Sequence, residues 1–248
     1  MKKLICFLSL GTLVLTTTHA QSKRDEDAKL TEIWQPEPKV VTPGKTPQDP
    51  PSDAVVLFSG KDLSQWESAN GGAAKWKLNE DFMMVDSGSG SIRTKQSFGD
   101  CQLHVEWRTP SVVKGNSQGR GNSGIFLMGL YELQVLDNYN NRTYSNGQAG
   151  SIYKQAIPLV NVCRPPGVWQ TYDIIFTAPH FNKDSTLKSP GRITVLQNGV
   201  LVENNFSIWG STEYVGTPTY KTHPERLPLV LQDHGNPVCY RNIWIRDL

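Results

Sequence analysis

Residues 193–204 read ITVLQNGVLVEN. Two runs of β-branched and aliphatic residues, 193–197 and 200–204, flank Asn198-Gly199. An Asn-Gly pair accepts positive φ at both central positions of a type I′ turn. The twist of that turn matches the twist of paired strands, so the segment predicts a two-residue β-hairpin. The same texture extends outward along the chain: short runs rich in β-branched and aromatic residues, broken by Gly, Asn, Asp and Pro. The pattern predicts strands at 55–58, 75–79, 82–86, 91–94, 101–108, 123–128, 131–136, 169–177, 191–197, 200–204, 229–233 and 242–246. No segment carries a long apolar helical period with caps. About a dozen short strands without a strong helix predict one all-β domain, a jelly-roll β-sandwich of two antiparallel sheets. A sandwich fits better than a propeller because no repeat of blade length is present.

The ends of the chain differ from this domain, which is expected to span 53–248. Residues 1–20 join Lys2 and Lys3 to an apolar run, Leu4 to Leu15, and end in Thr18-His19-Ala20. That order predicts an exported protein, periplasmic or extracellular, whose secretory signal is cut after Ala20. The apolar run is too short to favour a membrane anchor, so no transmembrane segment is expected in the mature chain. Residues 21–52 predict a charged, Pro-rich tether, since six of the chain's 16 prolines fall between Gln35 and Asp53.

The full chain of 248 residues has a formal charge of +2, and removing Lys2 and Lys3 leaves 23 basic against 23 acidic residues. Balanced charge without a long Lys/Arg run argues against a general nucleic-acid binder. Cys101, Cys163 and Cys239 lack zinc-site spacing, and Cys101 shares a strand face with apolar residues, so no bridge is predicted. Trp107, Trp169 and Trp244 fall on strands, where packing is the expected use. Trp66, Trp76 and Trp209 fall near loops or strand ends, where one of them can stack on a sugar ring.

Three polar constellations stand out. In CQLHVEWR, 101–108, Gln102, His104, Glu106 and Arg108 alternate with an apolar face. They read either as a half-exposed sheet face with cross-strand ion pairs or as a binding surface. In YELQVLD, 131–137, Glu132 and Gln134 share one strand face, and Asp137 joins them only through a bulge or the strand's end. Acid/base chemistry and ordinary capping acids both satisfy that pattern. The glycine-rich loop just before it holds Asn122, which can bind a ligand or its own turn. The segment LVLQDHGNPVCYRN, 229–242, concentrates Gln232, Asp233, His234, Asn236, Arg241 and Asn242. That density of amides, acids and arginine suits a site recognising hydroxyls, and His234 beside Asp233 can act as a base, a neutral hydrogen-bonding group or a metal ligand.

Together the segments VLFSGKDLSQWE, VEWR, GNSGIFL, YELQVLD, GQAGSIY, WQTYDIIF, TVLQNGVLV and LQDHGNPVCYRNIWIR resemble the bacterial 3-keto-disaccharide hydrolase domain, from about Val55 to Leu248. The resemblance implies a concanavalin-like jelly roll and an exported enzyme that degrades saccharides. Its implied chemistry begins with an oxidised C3, which acidifies the C2 proton; loss of that proton then expels the C1 substituent. On this reading Glu132, Asp137 and His234 are the catalytic candidates. Glu106, Arg108, Asn122, Gln134, Gln232 and Arg241 are the substrate-binding candidates, and the partner is a carbohydrate. The cofactor is unknown, although Glu132, Asp137 and His234 are competent ligands for a divalent metal. The strand is also similar to the E-x-D-x-x-E strand of jelly-roll β-glucanases, but Gln134 replaces the central acid. A β-glucanase and a non-catalytic carbohydrate-binding module are the competing readings.

Overall fold

The computed structural model describes Gln21 and residues 23–248. The segment read as a secretory signal lies outside the described residues. Two compact units are present, one ending at Val40 and one running from Val41 to Leu248. In the first, residues 23–29 are helical. No helix among the described residues is long and apolar enough to cross a membrane.

The second unit is built from strands β1 (Val55–Phe58), β2 (Trp66–Ser68), β3 (Lys77–Asn79), β4 (Phe82–Met84), β5 (Ile92–Phe98), β6 (Cys101–Arg108), β7 (Ser123–Leu127), β8 (Tyr131–Val135), β9 (Gln170–Thr177), β10 (His180–Phe181), β11 (Leu187–Ser189), β12 (Arg192–Gln197), β13 (Val200–Ser207), β14 (Leu227–Leu231) and β15 (Cys239–Asp247). The larger sheet runs β13-β12-β9-β6-β15-β4-β3, with β1 added beside β15; the smaller runs β2-β5-β14-β7-β8. Strands β10 and β11 form a separate ribbon. The 198–199 turn closes β12 onto β13 as expected, with φ of 53° at Asn198 and 79° at Gly199.

Period-2 alternation decides the layers. Leu103, Val105 and Trp107 of β6, Tyr172, Ile174 and Phe176 of β9, and Ile243 and Ile245 of β15 are buried on the inner face of the larger sheet. Ile125 and Leu127 of β7, Tyr131, Leu133 and Val135 of β8, and Leu229 and Leu231 of β14 are buried opposite them. Each large apolar side chain buried this way contributes about 1.5–3 kcal/mol. Cys101 is a free thiol in this core, where burial pushes it up to about 12. Trp66 and Trp76 are also buried, which withdraws both from sugar stacking.

Two features were not foreseen. Strands β2, β10 and β11 are too short to carry a period: β2 exists through pairing with β5, and β10 and β11 through pairing with each other. The compact unit that holds the sandwich also takes in residues 41–52: the Gln48 carbonyl accepts hydrogen bonds from Asn242 Nδ2 (3.0 Å) and Trp244 Nε1 (2.9 Å). Asp53 pairs with Arg246 at 2.8 Å. The second half of the expected tether is therefore docked on the larger sheet.

Candidate functional site

The side chains of β8 that point away from the core are Glu132 and Gln134. Pairing register sets Glu67, Arg93, Val230, Phe126 and Glu132 side by side across the outer face of the smaller sheet. In the next row Gln134 faces Gly124, whose carbonyl accepts the Gln232 N–H at 2.9 Å. Loops rise around these rows and enclose a cleft of about 650 Å³, lined among others by Gln118, Asn122, Glu132, Gln134, Tyr153 and His234.

Glu132 is 5% exposed. Among the described residues its carboxylate has no hydrogen-bond donor, and burial pushes its pKa up to about 8. A carboxyl left without compensating donors is held protonated by the cost of desolvating its charge. Gly124 makes this packing possible, because a Cβ there would lie 2.5 Å from Glu132 Oε1. The wall beyond carries Tyr144 and Tyr153, whose hydroxyls are 2.6 Å apart, and burial raises both phenols. Lys154 Nζ donates to the Tyr214 carbonyl and lies 4.2 Å from the Tyr214 ring centroid.

The amides are arranged differently. Gln134 Nε2 donates to Gln118 Oε1 (2.9 Å) and to the Gly147 carbonyl (3.3 Å). Gln118 is itself fixed by donating to Thr143 Oγ1 and Gly147 O, both at 2.8 Å. Asn122 Nδ2 donates to the Gln118 carbonyl at 2.7 Å. Gln134 Oε1 and Gln232 Oε1 are buried without a hydrogen-bond partner among the described residues. Such acceptors are costly unless a donor arrives, and a sugar hydroxyl is such a donor.

Five candidates therefore meet in one cleft: Glu132, His234, Asn122, Gln134 and Gln232. Asp137 does not join them. Past the end of β8, its Oδ2 accepts from Arg120 Nε (2.7 Å) and its Oδ1 from the Tyr139 N–H (3.1 Å). It lines a neighbouring cavity. Glu106, Arg108 and Arg241 lie on the outer face of the larger sheet, so the sandwich core separates them from the cleft. There Arg241 donates to Glu106 (2.7 Å) and Asp81 (2.8 Å). Burial alone would raise Glu106, but hydrogen bonds to His104, Asn242 and Arg241 together hold it down at about 2. Arg108 and Arg241 pack on the Trp169 ring at 4.6 and 4.2 Å. These groups form the cross-strand ion-pair face that was one of the two readings of 101–108, and they are not part of the cleft.

Sequence reasoning did not single out Gln118, Tyr144, Tyr153, Lys154, Thr212 or Tyr214. They come from loops without periodicity; only the GQAGSIY segment, which ends in Tyr153, carried a signal. Asp233 instead ties loops together, accepting from the Gly88 (2.8 Å) and Gly90 (3.0 Å) N–H groups. Among the described residues no group of three or more His, Cys, Asp or Glu side chains is placed to hold a metal ion, and Asp137 is already engaged by Arg120.

The profile of the 3-keto-alpha-glucoside-1,2-lyase-like domain matches residues 53–246. A 3-keto-disaccharide hydrolase of Bacteroides thetaiotaomicron is 24% identical, with 78% of each chain covered. A solved structure from Parabacteroides distasonis, described as a candidate glycosyl hydrolase, is 52% identical with a TM-score of 0.85, covering 89% of this chain and 96% of that one. A second structure from that organism, with the same description, shares the fold at 22% identity and a TM-score of 0.57, covering 79% and 94%.

Proposed function

Because the chain belongs to the 3-keto-alpha-glucoside-1,2-lyase-like domain family, we propose that it cleaves the glycosidic bond of 3-keto-glycosides by proton abstraction at C2. The observation that carries this reading is a single buried carboxyl, Glu132, whose pKa is pushed to about 8, in a cleft whose other polar lining side chains are amides, hydroxyls, Lys154 and His234. A retaining glucanase needs two carboxyl groups about 5 Å apart, and the lining of this cleft supplies one. Abstraction beside a ketone needs one strong base, and a raised pKa makes Glu132 a stronger base than an ordinary carboxylate.

In the proposed cycle ionised Glu132 takes the C2 proton. The C–H electrons move into the ring as an enolate, with charge on the C3 oxygen. Lys154 and Tyr153 supply positive charge and a donor for that oxygen. Collapse of the enolate restores the ketone, forms the C1–C2 double bond and breaks the bond from C1 to the leaving oxygen. His234 protonates that oxygen. Addition of water, hydroxyl to C1 and proton to C2, completes a net hydrolysis. Gln134, Gln232 and Asn122 hold sugar hydroxyls. Asp137, through Arg120, fixes the loop that carries Gln118 and Asn122. We also propose export, on the pattern of residues 1–20; a mature N-terminus other than Gln21 would contradict it.

The test offers the protein methyl 3-keto-glucoside and methyl glucoside in deuterated water. Cleavage of the keto sugar alone, with deuterium at C2 of the product, is expected. Comparable cleavage of the parent sugar, or product without deuterium at C2, would sink the proposal.

A further inference from the structure

Beside the cleft lies a second cavity of about 420 Å³. The same two loops line both spaces with different residues. Gln118, Asn122 and His234 face the cleft; Arg120, Gly121 and Asn236 face the second cavity, and Gly119 borders both. Strand β8 runs beneath: Gln134 lies in the cleft, and Asp137, three residues on, at the cavity. Three residues reach at most about 10 Å, so the two spaces are near neighbours, and Gly119 borders both.

The chemistry of the two spaces differs. In the cleft, Gln134 Oε1 and Gln232 Oε1 lack partners. In the cavity, three polar side chains already have partners. Arg120 donates to Asp137 and to the Tyr139 carbonyl. Asn236 Oδ1 accepts from the Gly121 N–H, and its Nδ2 donates to the His234 carbonyl. Beside exposed Lys114, the cavity presents apolar surface: Pro110, Pro237, and the consecutive loop residues Val112 and Val113, which are 69% and 47% exposed. Adjacent exposed valines on a loop contribute little to folding, and a ligand is the partner that would cover them.

We propose that the second cavity is the leaving-group subsite and binds the aglycone through apolar contact, which favours 3-keto-glycosides whose aglycone has an aromatic or aliphatic face. This rests on the cleft being the sugar site. His234 fits the arrangement, since it lies in the cleft one residue before the stretch that borders the cavity.

The test compares kcat/KM for phenyl and methyl 3-keto-glucoside in the natural protein and in the V112S/V113S variant. Phenol is intrinsically the better leaving group, so the readout is the change in the phenyl-to-methyl ratio. A fall of about tenfold in that ratio is expected, within the range for lost apolar pocket contacts; an unchanged ratio overturns the proposal. If neither keto-glycoside is cleaved, the catalytic reading fails and binding decides the subsite. Phenyl glucoside is then titrated into protein carrying labelled valine methyls. Shifts at Val112 and Val113 with the phenyl but not the methyl glucoside support the subsite, and their absence overturns it.

Discussion

Replacing Glu132 by Gln should stabilise the protein while abolishing turnover. Glutamine is nearly isosteric with the protonated acid that the buried site favours. In the unfolded chain the carboxyl returns to its ordinary value of 4.5, whereas folding raises it to about 8. Between those values the unfolded state releases a proton that the folded state keeps, so stability falls as pH rises. The Glu132 contribution is thus fully favourable below about 4.5 and is lost progressively up to about 8, beyond which the charge is buried outright. Linkage puts the penalty relative to the acid form at about 1 kcal/mol at pH 5, about 3 kcal/mol at pH 7 and about 5 kcal/mol at pH 9. Urea unfolding of both proteins at these three pH values measures the difference directly. A second buried carboxyl raised by burial, Glu203, also pushed up to about 8, is common to both proteins and cancels. The reasoning is refuted if the variant's stability advantage over the natural protein is no larger at pH 9 than at pH 5, or if the variant retains full activity.

Three further outcomes are expected. With Glu132 as base, kcat/KM for the keto-glycoside should climb tenfold per pH unit below about 8 and reach about a tenth of its plateau at pH 7; a profile falling through the same range would make Glu132 the acid. Gly124→Ala places a Cβ 2.5 Å from Glu132 Oε1 and 2.8 Å from Phe126 Cε2, so turnover should fall on the order of 100-fold with the far-UV spectrum retained. Arg120→Met leaves the Asp137 carboxylate buried without its counter-charge, and denaturant unfolding should register a loss of about 3–5 kcal/mol.

The pattern of inward and outward residues was legible in the chain because strand alternation is a local property. ITVLQNGVLVEN specifies its own hairpin, and YELQVLD shows that Glu132 and Gln134 share a face opposite Tyr131, Leu133 and Val135. The same local reading also shows that Asp137 is out of phase, and the structure turns it to Arg120 instead. The polar face of 101–108 was equally legible as a face, but its side of the molecule was not. Only the stacking of two sheets puts Glu106, Arg108 and Arg241 across the core from the cleft.

What makes Glu132 chemically distinct is not in its own strand. Its backbone N–H donates to Thr212 Oγ1, 80 residues away in sequence. The walls that desolvate it come from the loops bearing Tyr144, Tyr153 and Tyr214. Periodicity reports which way a side chain points; it does not report what covers that side chain. The sequence therefore determined the longer strands, the sandwich and the family resemblance. The tertiary structure decided which acid loses its water, which amides keep unpartnered oxygens and which charges neutralise one another, because desolvation and pairing depend on segments brought together only by folding.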